Sequence, residues 1–474
     1  MKRLLSFFIS ISLLITVFAA VPFEAGAKDK NNDEGIYVVS SEIFADAYML
    51  INLDDDNYPV IAQKNKDKRK YPASLTKIAT AMVIINNVKN LKEKTTASQN
   101  AIDVLANTYA QVAGIQPGDT LTIEELLSLI MVHSACDACT VAAEYVAGTI
   151  PEFVKLMNNW AKSLGCTGTN FTNCDGLHDE NHYTTASDVA IMTLEALKNE
   201  TFSKVCTQKS VEFNDQTLIH TNYMLDEHHL TYYYEYAEGI KTGSTSEAGY
   251  CVVTKASKDG YNYLAVVMDS PIKKIDGIET KCSFIDAASL FDWAFDSLKY
   301  SVVVKGNDVV YEIPVEDGKD ADSVQLGSTE DITALVPASL DASAVMIKPI
   351  EPPESLKAPI VKGDKICEAD IIYADKVVAT VDLCAMQTIE LSTFLTIVNA
   401  VKSFLSNKIV LGAVLLAIVL LIIYIAVFAS KLKKAKKKSA AKRRRREQLD
   451  EQINREYQRK HGRDNDYLPP PRRK

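Results

Sequence analysis

Glycine and proline are scarce in this chain, which has 19 Gly and 15 Pro among 474 residues. This scarcity excludes a collagen-like chain, and a composition of 47% hydrophobic and 24% charged residues excludes one that is disordered or coiled-coil throughout. Paired zinc-binding motifs are also lacking, because Cys136 and Cys139 form one isolated pair at that spacing. We therefore expect no metal and no other cofactor, and a length that suits two or three globular domains.

The nine cysteines predict at least one free thiol and leave any disulfide pairing among the others open. Because their number is odd, at least one of them has no partner within the chain. A chain of this size needs no disulfide scaffold to fold. Either several cysteines are buried apolar residues, or the protein works in a reducing environment.

Two apolar segments predict the compartment. The first lies within residues 1–27, which begin with Lys2 and Arg3, continue with an apolar run and end in the small residues Ala25-Gly26-Ala27. A positive start, an apolar core and a small-x-small cleavage site are typical of a secretory signal peptide. An uncleaved anchor is the alternative.

The second apolar segment, residues 409–429, contains no charged residue. A helix of this length spans about 30 Å, the thickness of a bilayer core. A buried helix in the core of a globular protein is the alternative. Residues 431–446 hold eleven Lys or Arg and no acid, and positive residues stay on the cytoplasmic side. We predict a single-pass membrane protein with its body outside the cell and a basic cytoplasmic tail over residues 430–474. Anionic lipid, rather than nucleic acid, is the expected partner of the tail.

The outer part of the chain changes in pattern near residue 300. Strands are predicted over 43–52, 58–63, 250–256 and 262–269, and helices over 72–85, 122–132, 137–146, 187–197 and 285–298. Thr122 and Glu125 form a capping box, and Asp137 is the expected cap of the next helix. Residues 36–299 therefore predict a mixed α/β (α+β) domain. Short Val/Ile-rich segments separated by turn residues predict a small all-β domain over 300–391.

Ser74 and Lys77 are the first candidates for chemistry. They lie three residues apart where Pro72 opens a predicted helix, so the amine can reach the hydroxyl. A lysine among apolar neighbours and near a second cation loses its proton more easily and can act as a base. The spacing alone is weak evidence, because three other pairs share it. These are Ser270 and Lys273, Ser430 and Lys433, and Ser439 and Lys442.

Two later motifs strengthen this interpretation. Ser134 lies between two predicted helices, on a short break where its hydroxyl could project into a cleft. Lys241-Thr242-Gly243 occurs once and precedes the predicted 250–269 hairpin, so we expect it on a strand. There a lysine and a threonine can bind a carboxylate, and glycine lets a substrate backbone approach. The three motifs in this order are much more specific than any one of them.

With these motifs the chain resembles the serine-type D-alanyl-D-alanine carboxypeptidases of peptidase family S11, the low-molecular-mass penicillin-binding proteins. The matching segments are 71–77 (YPASLTK), 126–138, 173–186 and 239–243 (GIKTG). The resemblance covers roughly residues 36–391. It implies a catalytic domain of the β-lactamase/DD-peptidase type, and the β-rich residues 300–391 are similar to the second domain of many members.

The resemblance implies a route through an acyl-enzyme. Ser74 would attack the carbonyl between two D-alanines at the end of a peptidoglycan stem peptide, and Lys77 would take its proton. The backbone N–H groups of Ser74 and Ser244 would stabilise the oxyanion. Ser134 would pass a proton to the departing D-alanine, and water would hydrolyse the acyl-enzyme. Penicillin and other β-lactams would inhibit by acylating the same serine.

The resemblance also implies the substrate-binding residues. Lys241 and Thr242 would hold the terminal carboxylate, with Gly243 and Ser244 beside the substrate. The family's second motif is usually Ser-x-Asn, and Cys136 occupies its third place. A thiol is a far weaker donor and acceptor than an amide, so rate and affinity should change more than reaction type. Cys136 is expected to be a small apolar filler, with a catalytic thiol as the alternative.

The leading interpretation is a membrane-anchored, penicillin-sensitive DD-carboxypeptidase that trims pentapeptide stems in cell-wall maturation. A DD-endopeptidase that cuts cross-links is the nearest alternative. A β-lactamase is less favoured, because no good match is found for the separate glutamate that activates its deacylating water. A non-catalytic penicillin-binding sensor or scaffold is supported by Cys136 alone. The segment 409–429 departs from the family, where many members end in an amphipathic helix that lies on the bilayer.

Overall fold

The computed structural model describes residues 36–340 and 344–460, and of Leu405 only the backbone. The predicted signal peptide lies outside these residues. The chain divides into two compact units, described separately below. The first contains residues 36–305, 331–348 and 370–381, and the second contains residues 306–330, 349–369 and 382–460.

The first unit contains eleven strands before residue 282. In chain order they are β1 (Ala47–Asn52), β2 (Val60–Lys64), β3 (Lys94–Thr96), β4 (Thr120–Thr122), β5 (Ser210–Phe213), β6 (Gln216–Ile219), β7 (Ala237–Thr245), β8 (Gly249–Lys258), β9 (Tyr261–Ser270), β10 (Ile272–Ile275) and β11 (Ile278–Lys281). Five of them form an antiparallel sheet in the order β2-β1-β9-β8-β7. The other six form three two-stranded ribbons, β3-β4, β5-β6 and β10-β11.

Helices cover both faces of the five-stranded sheet. They are α1 (Lys77–Asn87), α2 (Gln99–Asp103), α3 (Ile123–Ser128), α4 (Cys136–Ala147), α5 (Ile150–Ser163), α6 (Ala186–Leu197), α7 (Glu200–Cys206) and α8 (Cys282–Ser297). Alternate residues of β9 enter two different cores, as the period of two along a strand requires. Leu264, Val266 and Met268 pack with α1 and α4, whereas Tyr263, Ala265 and Val267 pack with α8.

Helix α1 lies in the middle of the larger core. Its residues from Lys77 to Ile84 are all buried, so neighbouring elements surround this part of the helix on every side. The predicted capping box at Thr122 and Glu125 is confirmed at the start of α3. The predicted cap of α4 is wrong. Helix α4 begins without a side-chain cap, and the Asp137 carboxylate instead accepts hydrogen bonds from three backbone N–H groups of residues 113–115.

The described part of residues 298–385 contains eight strands. The strands are β12 (Leu298–Val304), β13 (Val309–Glu316), β14 (Ser323–Gly327), β15 (Ile332–Pro337), β16 (Val345–Ile350), β17 (Leu356–Lys357), β18 (Lys365–Tyr373) and β19 (Lys376–Ala385). In the first unit β12 pairs with β15 in antiparallel fashion. In the second unit β13 pairs antiparallel with β14 and parallel with β17. The β-rich character predicted for this region is confirmed.

Two helices end the described chain, α9 (Thr393–Ser406) and α10 (Lys408–Lys460). Helix α10 includes the predicted span and continues through the basic residues that follow it. Among the residues that the structure describes, it alone is long and apolar enough to cross a membrane, judged by length and composition.

Candidate active site

The hydroxyl of Ser74 lies in a tight turn at the edge of a cavity of about 830 Å³. Residues Ala73–Thr76 form one turn of 3₁₀-helix directly before α1. Ala73 has a left-handed backbone with φ of +47°, which non-glycine residues rarely adopt. The Thr76 hydroxyl donates a hydrogen bond to the Ala73 carbonyl at 2.8 Å. This turn presents Ser74 at the opening of the helix, where the sequence predicts it.

Lys77 lies beneath Ser74 and is fully buried. Its ammonium nitrogen Nζ is 3.0 Å from Ser74 Oγ and 2.6 Å from the carbonyl oxygen of Asp175. The sulfur of Cys136 lies 3.4 Å from the same nitrogen. The serine and lysine motif is therefore joined to the second motif through Cys136. Lys77 is within reach of the proton on Ser74, as a base for that hydroxyl must be.

Ser134, in the second motif, lines the same cavity. It ends a π-type turn over Leu129–His133 with a left-handed backbone, φ of +64°. This break in the helix directs Ser134 and Cys136 to the lining of the cavity. Irregular turns of this type are often found at functional sites.

Strand β7 forms the opposite wall with the third motif. Thr242, Gly243 and Ser244 line the cavity, and Ser244 is exposed. Lys241 is fully buried behind them, with its ammonium nitrogen 2.9 Å from the Thr242 carbonyl oxygen. The Thr242 hydroxyl donates to the hydroxyl of Thr221 at 2.6 Å. Three of the four predicted binding residues of this strand thus face the cavity, and Lys241 does not.

Two glycines allow other segments to pack against the turn that carries Ser74. A Cβ atom on Gly243 would lie 2.8 Å from the Pro72 carbonyl oxygen and 2.9 Å from the Ser74 nitrogen. A Cβ atom on Gly176, whose φ is +86°, would overlap the Ala73 carbonyl group. The structure therefore gives Gly243 a second reason, because its missing side chain makes room for the protein's own backbone. The approach of a substrate backbone to Gly243 stays a prediction.

The two buried lysines have opposite pKa shifts. Burial, followed by repulsion from Lys77, lowers the pKa of Lys241 well below its ordinary value. Burial also opposes the charge of Lys77, but negative charge on two neighbouring thiols and one carboxyl outweighs it, so its pKa is raised. These groups are Cys136, Cys139 and Asp175. The pKa of Lys77 is therefore raised where apolar surroundings and a second cation predict a lower one, and the lysine whose pKa is lowered is Lys241.

The protonation state of the Cys136 and Cys139 thiols limits the rise in the pKa of Lys77. Burial raises the pKa of Cys136 and raises that of Cys139 well above the ordinary value. Both are neutral thiols at pH 7, so they add no negative charge there. Lys77 therefore holds its proton less tightly at pH 7 than it would beside thiolates. All nine cysteines are free, and seven of them are buried, which agrees with the expectation of at least one free thiol.

Sequence patterns give no specific role to several residues that build the site. Residues 108–111 form a wall of the cavity, and the Asp137 carboxylate holds the chain that follows them. The buried ring of His182 contacts the nucleophile turn through Thr76. The segment 173–186 resembles the family as a block, but only tertiary structure shows which of its atoms touch Ser74 and Lys77.

A serine hydroxyl, a buried lysine within 3.0 Å of it and a strand edge at one cavity define a serine acyl-transfer site. The family model described as D-alanyl-D-alanine carboxypeptidase, peptidase S11, matches residues 34–272. The model described as the C-terminal domain of penicillin-binding protein 5 matches residues 299–391. The chain belongs to the S11 family of D-alanyl-D-alanine carboxypeptidases. The predicted fold class, a DD-peptidase-type catalytic domain followed by an all-β domain, is confirmed.

Individual relatives agree with this assignment. The D-alanyl-D-alanine carboxypeptidase DacF of Bacillus subtilis is 29% identical over 401 residues, which are 84% of this chain and 97% of the relative. A D-alanyl-D-alanine carboxypeptidase of a Streptomyces species is 33% identical over 225 residues, 44% of this chain and 75% of the relative. The crystal structure of penicillin-binding protein 5 from Haemophilus influenzae superposes with a TM-score of 0.57 at 26% identity. It covers 75% of this chain and 100% of the other.

Proposed function

We propose that this protein is a penicillin-sensitive serine DD-carboxypeptidase that removes the terminal D-alanine from peptidoglycan stem pentapeptides. The observation that carries the proposal is the 3.0 Å contact between Ser74 Oγ and Lys77 Nζ beside a cavity lined by Ser134 and Thr242. Membership in the S11 family supplies the substrate class. The reaction proceeds through an ester between Ser74 and the penultimate D-alanine.

The substrate carboxylate binds at the edge of strand β7. Ser244 donates its hydroxyl to it, Thr242 does so when its hydroxyl proton turns away from Thr221, and Lys241 adds positive charge from behind the strand. An anion at this position favours the charged form of Lys241 and raises its pKa. The charge of Lys241 then repels that of Lys77 and favours the neutral amine. Binding of the substrate thus helps to produce the base.

Acylation begins when neutral Lys77 takes the proton of Ser74 and the serine oxygen attacks the peptide carbonyl. The backbone N–H groups of Ser74 and Ser244 stabilise the resulting oxyanion. Ser134 donates its proton to the leaving nitrogen and regains one from protonated Lys77, so the C–N bond breaks, free D-alanine departs and Lys77 is again neutral. Water then attacks the Ser74 ester, the carboxylate product leaves, and the serine regains its proton.

The domain boundaries and the membrane topology are part of the same proposal. Residues 36–299 carry catalysis, residues 300–391 form the β-rich domain, and residues 409–429 cross the membrane once. The eleven basic residues over 431–446 support an external catalytic domain and a cytoplasmic tail at 430–474. A cleaved signal peptide over residues 1–27 would deliver the domain to that side. Protease accessibility of a C-terminal tag in intact and permeabilised cells tests this topology.

The activity is tested on a peptide that ends in D-Ala-D-Ala, with free D-alanine as the readout. The full chain in detergent should release one D-alanine per peptide, and Ser74→Ala should release none. A cross-linked muropeptide dimer, offered separately, distinguishes an endopeptidase by the appearance of monomers. If neither substrate is cleaved but penicillin still labels Ser74, the protein is a sensor or scaffold, and the proposal is wrong.

A further inference from the structure

A loop over residues 170–183 packs against the nucleophile turn, Ala73–Thr76. Its ends are tied at Asn170 and Tyr183, whose backbone groups exchange hydrogen bonds of 2.8 and 3.0 Å. From this loop Asp175 offers its carbonyl to Lys77 at 2.6 Å, and Gly176 packs against Ala73. The loop therefore touches both parts of the candidate catalytic pair. One more of its residues, His182, reaches the turn with a side chain.

The hydrogen bonds of His182 define its tautomer. The ring is 2% exposed, and its Nδ1 atom accepts a hydrogen bond of 3.1 Å from the backbone N–H of Thr172. A backbone N–H can only donate, so Nδ1 has no proton and the neutral ring holds its proton on Nε2. That N–H donates to the Thr76 hydroxyl oxygen at 2.7 Å.

The hydrogen bonds continue in the same donor-to-acceptor direction from His182 into the turn that carries Ser74. Because the Thr76 oxygen accepts from His182, its single proton is directed elsewhere, and it donates to the Ala73 carbonyl at 2.8 Å. Ala73 has the left-handed φ of +47° that precedes Ser74. A residue in this region of backbone space persists only where its surroundings hold it. The peptide group between Ala73 and Ser74 is therefore oriented by a relay that begins at His182.

We propose that His182 is a positioning residue for the nucleophile: its neutral ring acts through the Thr76 hydroxyl on the Ala73–Ser74 peptide and fixes Ser74 relative to Lys77. This inference rests on the proposed acylation of Ser74. It assigns Thr76, the third residue of the first motif, a role that the motif's spacing does not reveal. Burial lowers the pKa of His182 to about 4, so the ring is neutral at pH 7.

A merely structural role for His182 would depend on packing instead. The ring lies against Phe171, with centroids 5.5 Å apart and planes at 60°. Loss of packing lowers stability without a specific effect on the reaction. Loss of the relay misplaces Ser74, and small misplacements of reacting groups cost up to about a hundredfold in rate. The two roles therefore differ in which measured quantity changes.

Two amide substitutions separate the two ring nitrogens. The amide nitrogen of His182→Gln lies near the position of Nε2 and can donate to Thr76. The amide oxygen of His182→Asn lies near Nδ1 and can accept from Thr172, but the donor to Thr76 is lost. Thr76→Val removes the hydroxyl at nearly constant shape. Phe202→Leu, in the core of the first unit, is the control for lost packing.

The readout is the acylation of Ser74 by a fluorescent penicillin, resolved into a noncovalent dissociation constant and a rate constant. His182→Asn and Thr76→Val should each lower the rate constant about tenfold or more, with an unchanged dissociation constant. His182→Gln should recover most of the rate. The double variant His182→Asn/Thr76→Val should be no slower than Thr76→Val, because both remove the same relay. Phe202→Leu should lose stability but acylate at the normal rate.

Several outcomes would overturn the inference. Normal acylation by His182→Asn, equal losses for the Asn and Gln variants, or additive effects in the double variant would each leave His182 with a packing role only. If His182→Asn does not fold, Thr76→Val decides, since normal acylation in that variant removes the relay. Absence of any label on the wild-type protein is a different result. It would refute the proposed function, and the positioning role with it.

Discussion

Replacing Gly176 by alanine should disturb the nucleophile turn directly. The added methyl group would overlap the Ala73 carbonyl and lie 3.0 Å from the Ser74 nitrogen. Both neighbours are backbone atoms, so they cannot move aside as a flexible side chain would. Two costs add: about 1 kcal/mol for a left-handed alanine, and about 1–3 kcal/mol for overpacking. We expect a loss of about 2–4 kcal/mol of unfolding free energy.

Gly260→Ala is the matched control. Gly260 has the same φ of +86° but no atom within 4 Å of the position that a Cβ would occupy. It should lose only the conformational cost of about 1 kcal/mol and acylate normally. Urea unfolding gives the two free energies, and a fluorescent penicillin gives the two acylation rates.

The acylation rate decides whether the contact matters for function. In Gly176→Ala the Ala73–Ser74 peptide must shift, so we expect acylation slowed by about tenfold or more under conditions where the variant is folded. Equal stability losses in the two variants, or a normal rate in Gly176→Ala, would refute the packing of the loop against the turn.

Three further predictions concern charge and hydrogen bonding at the site. Cys136→Asn should raise kcat/KM on a D-Ala-D-Ala peptide several-fold, because an amide accepts from Lys77 and still donates into the cavity; a lower value would contradict this. Lys241→Ala should raise KM more than it lowers kcat on a peptide with a free C-terminal carboxylate. On a peptide with an amidated C-terminus, the variant and the wild type should have similar kinetics. Unchanged kinetics on the free acid would exclude a role for Lys241 in carboxylate binding. His182 has a pKa of about 4 when folded, against about 6.5 in an unfolded chain. The unfolded chain binds the proton first on acidification, so the neutral ring's contribution is complete above pH 6.5 and about 3 kcal/mol is lost by pH 4. Urea unfolding of His182→Gln should show a shallower loss over this range, and an identical slope would contradict the assignment.

Local patterns in the sequence predict those parts of the site that depend on short-range geometry. Ser74 and Lys77 are three residues apart, and helical periodicity alone brings their side chains together. The capping box at Thr122 and Glu125 is equally local. The alternating strands around residue 260 and the β-rich region after 298 follow from periods of two with turn residues between them.

Features that depend on long-range packing could not be predicted. Asp137 is near the start of a helix and looks like a cap, but its carboxylate binds a segment more than twenty residues away. Gly243 lies in a binding motif, yet its contact is with the turn of Ser74. The pKa of Lys77 depends on which groups surround it in three dimensions, and the spacing of the motif contains no such information.

The central claim is that Ser74 is an acyl-accepting nucleophile, and intact mass tests it most directly. Residues 28–400 and the full chain in detergent are each incubated with a fluorescent penicillin and followed over time, with Ser74→Ala alongside. We predict one adduct per chain in the wild type, located on Ser74, and none in Ser74→Ala. An adduct that persists in Ser74→Ala, or a folded wild-type protein that takes up no penicillin, would contradict the proposed function.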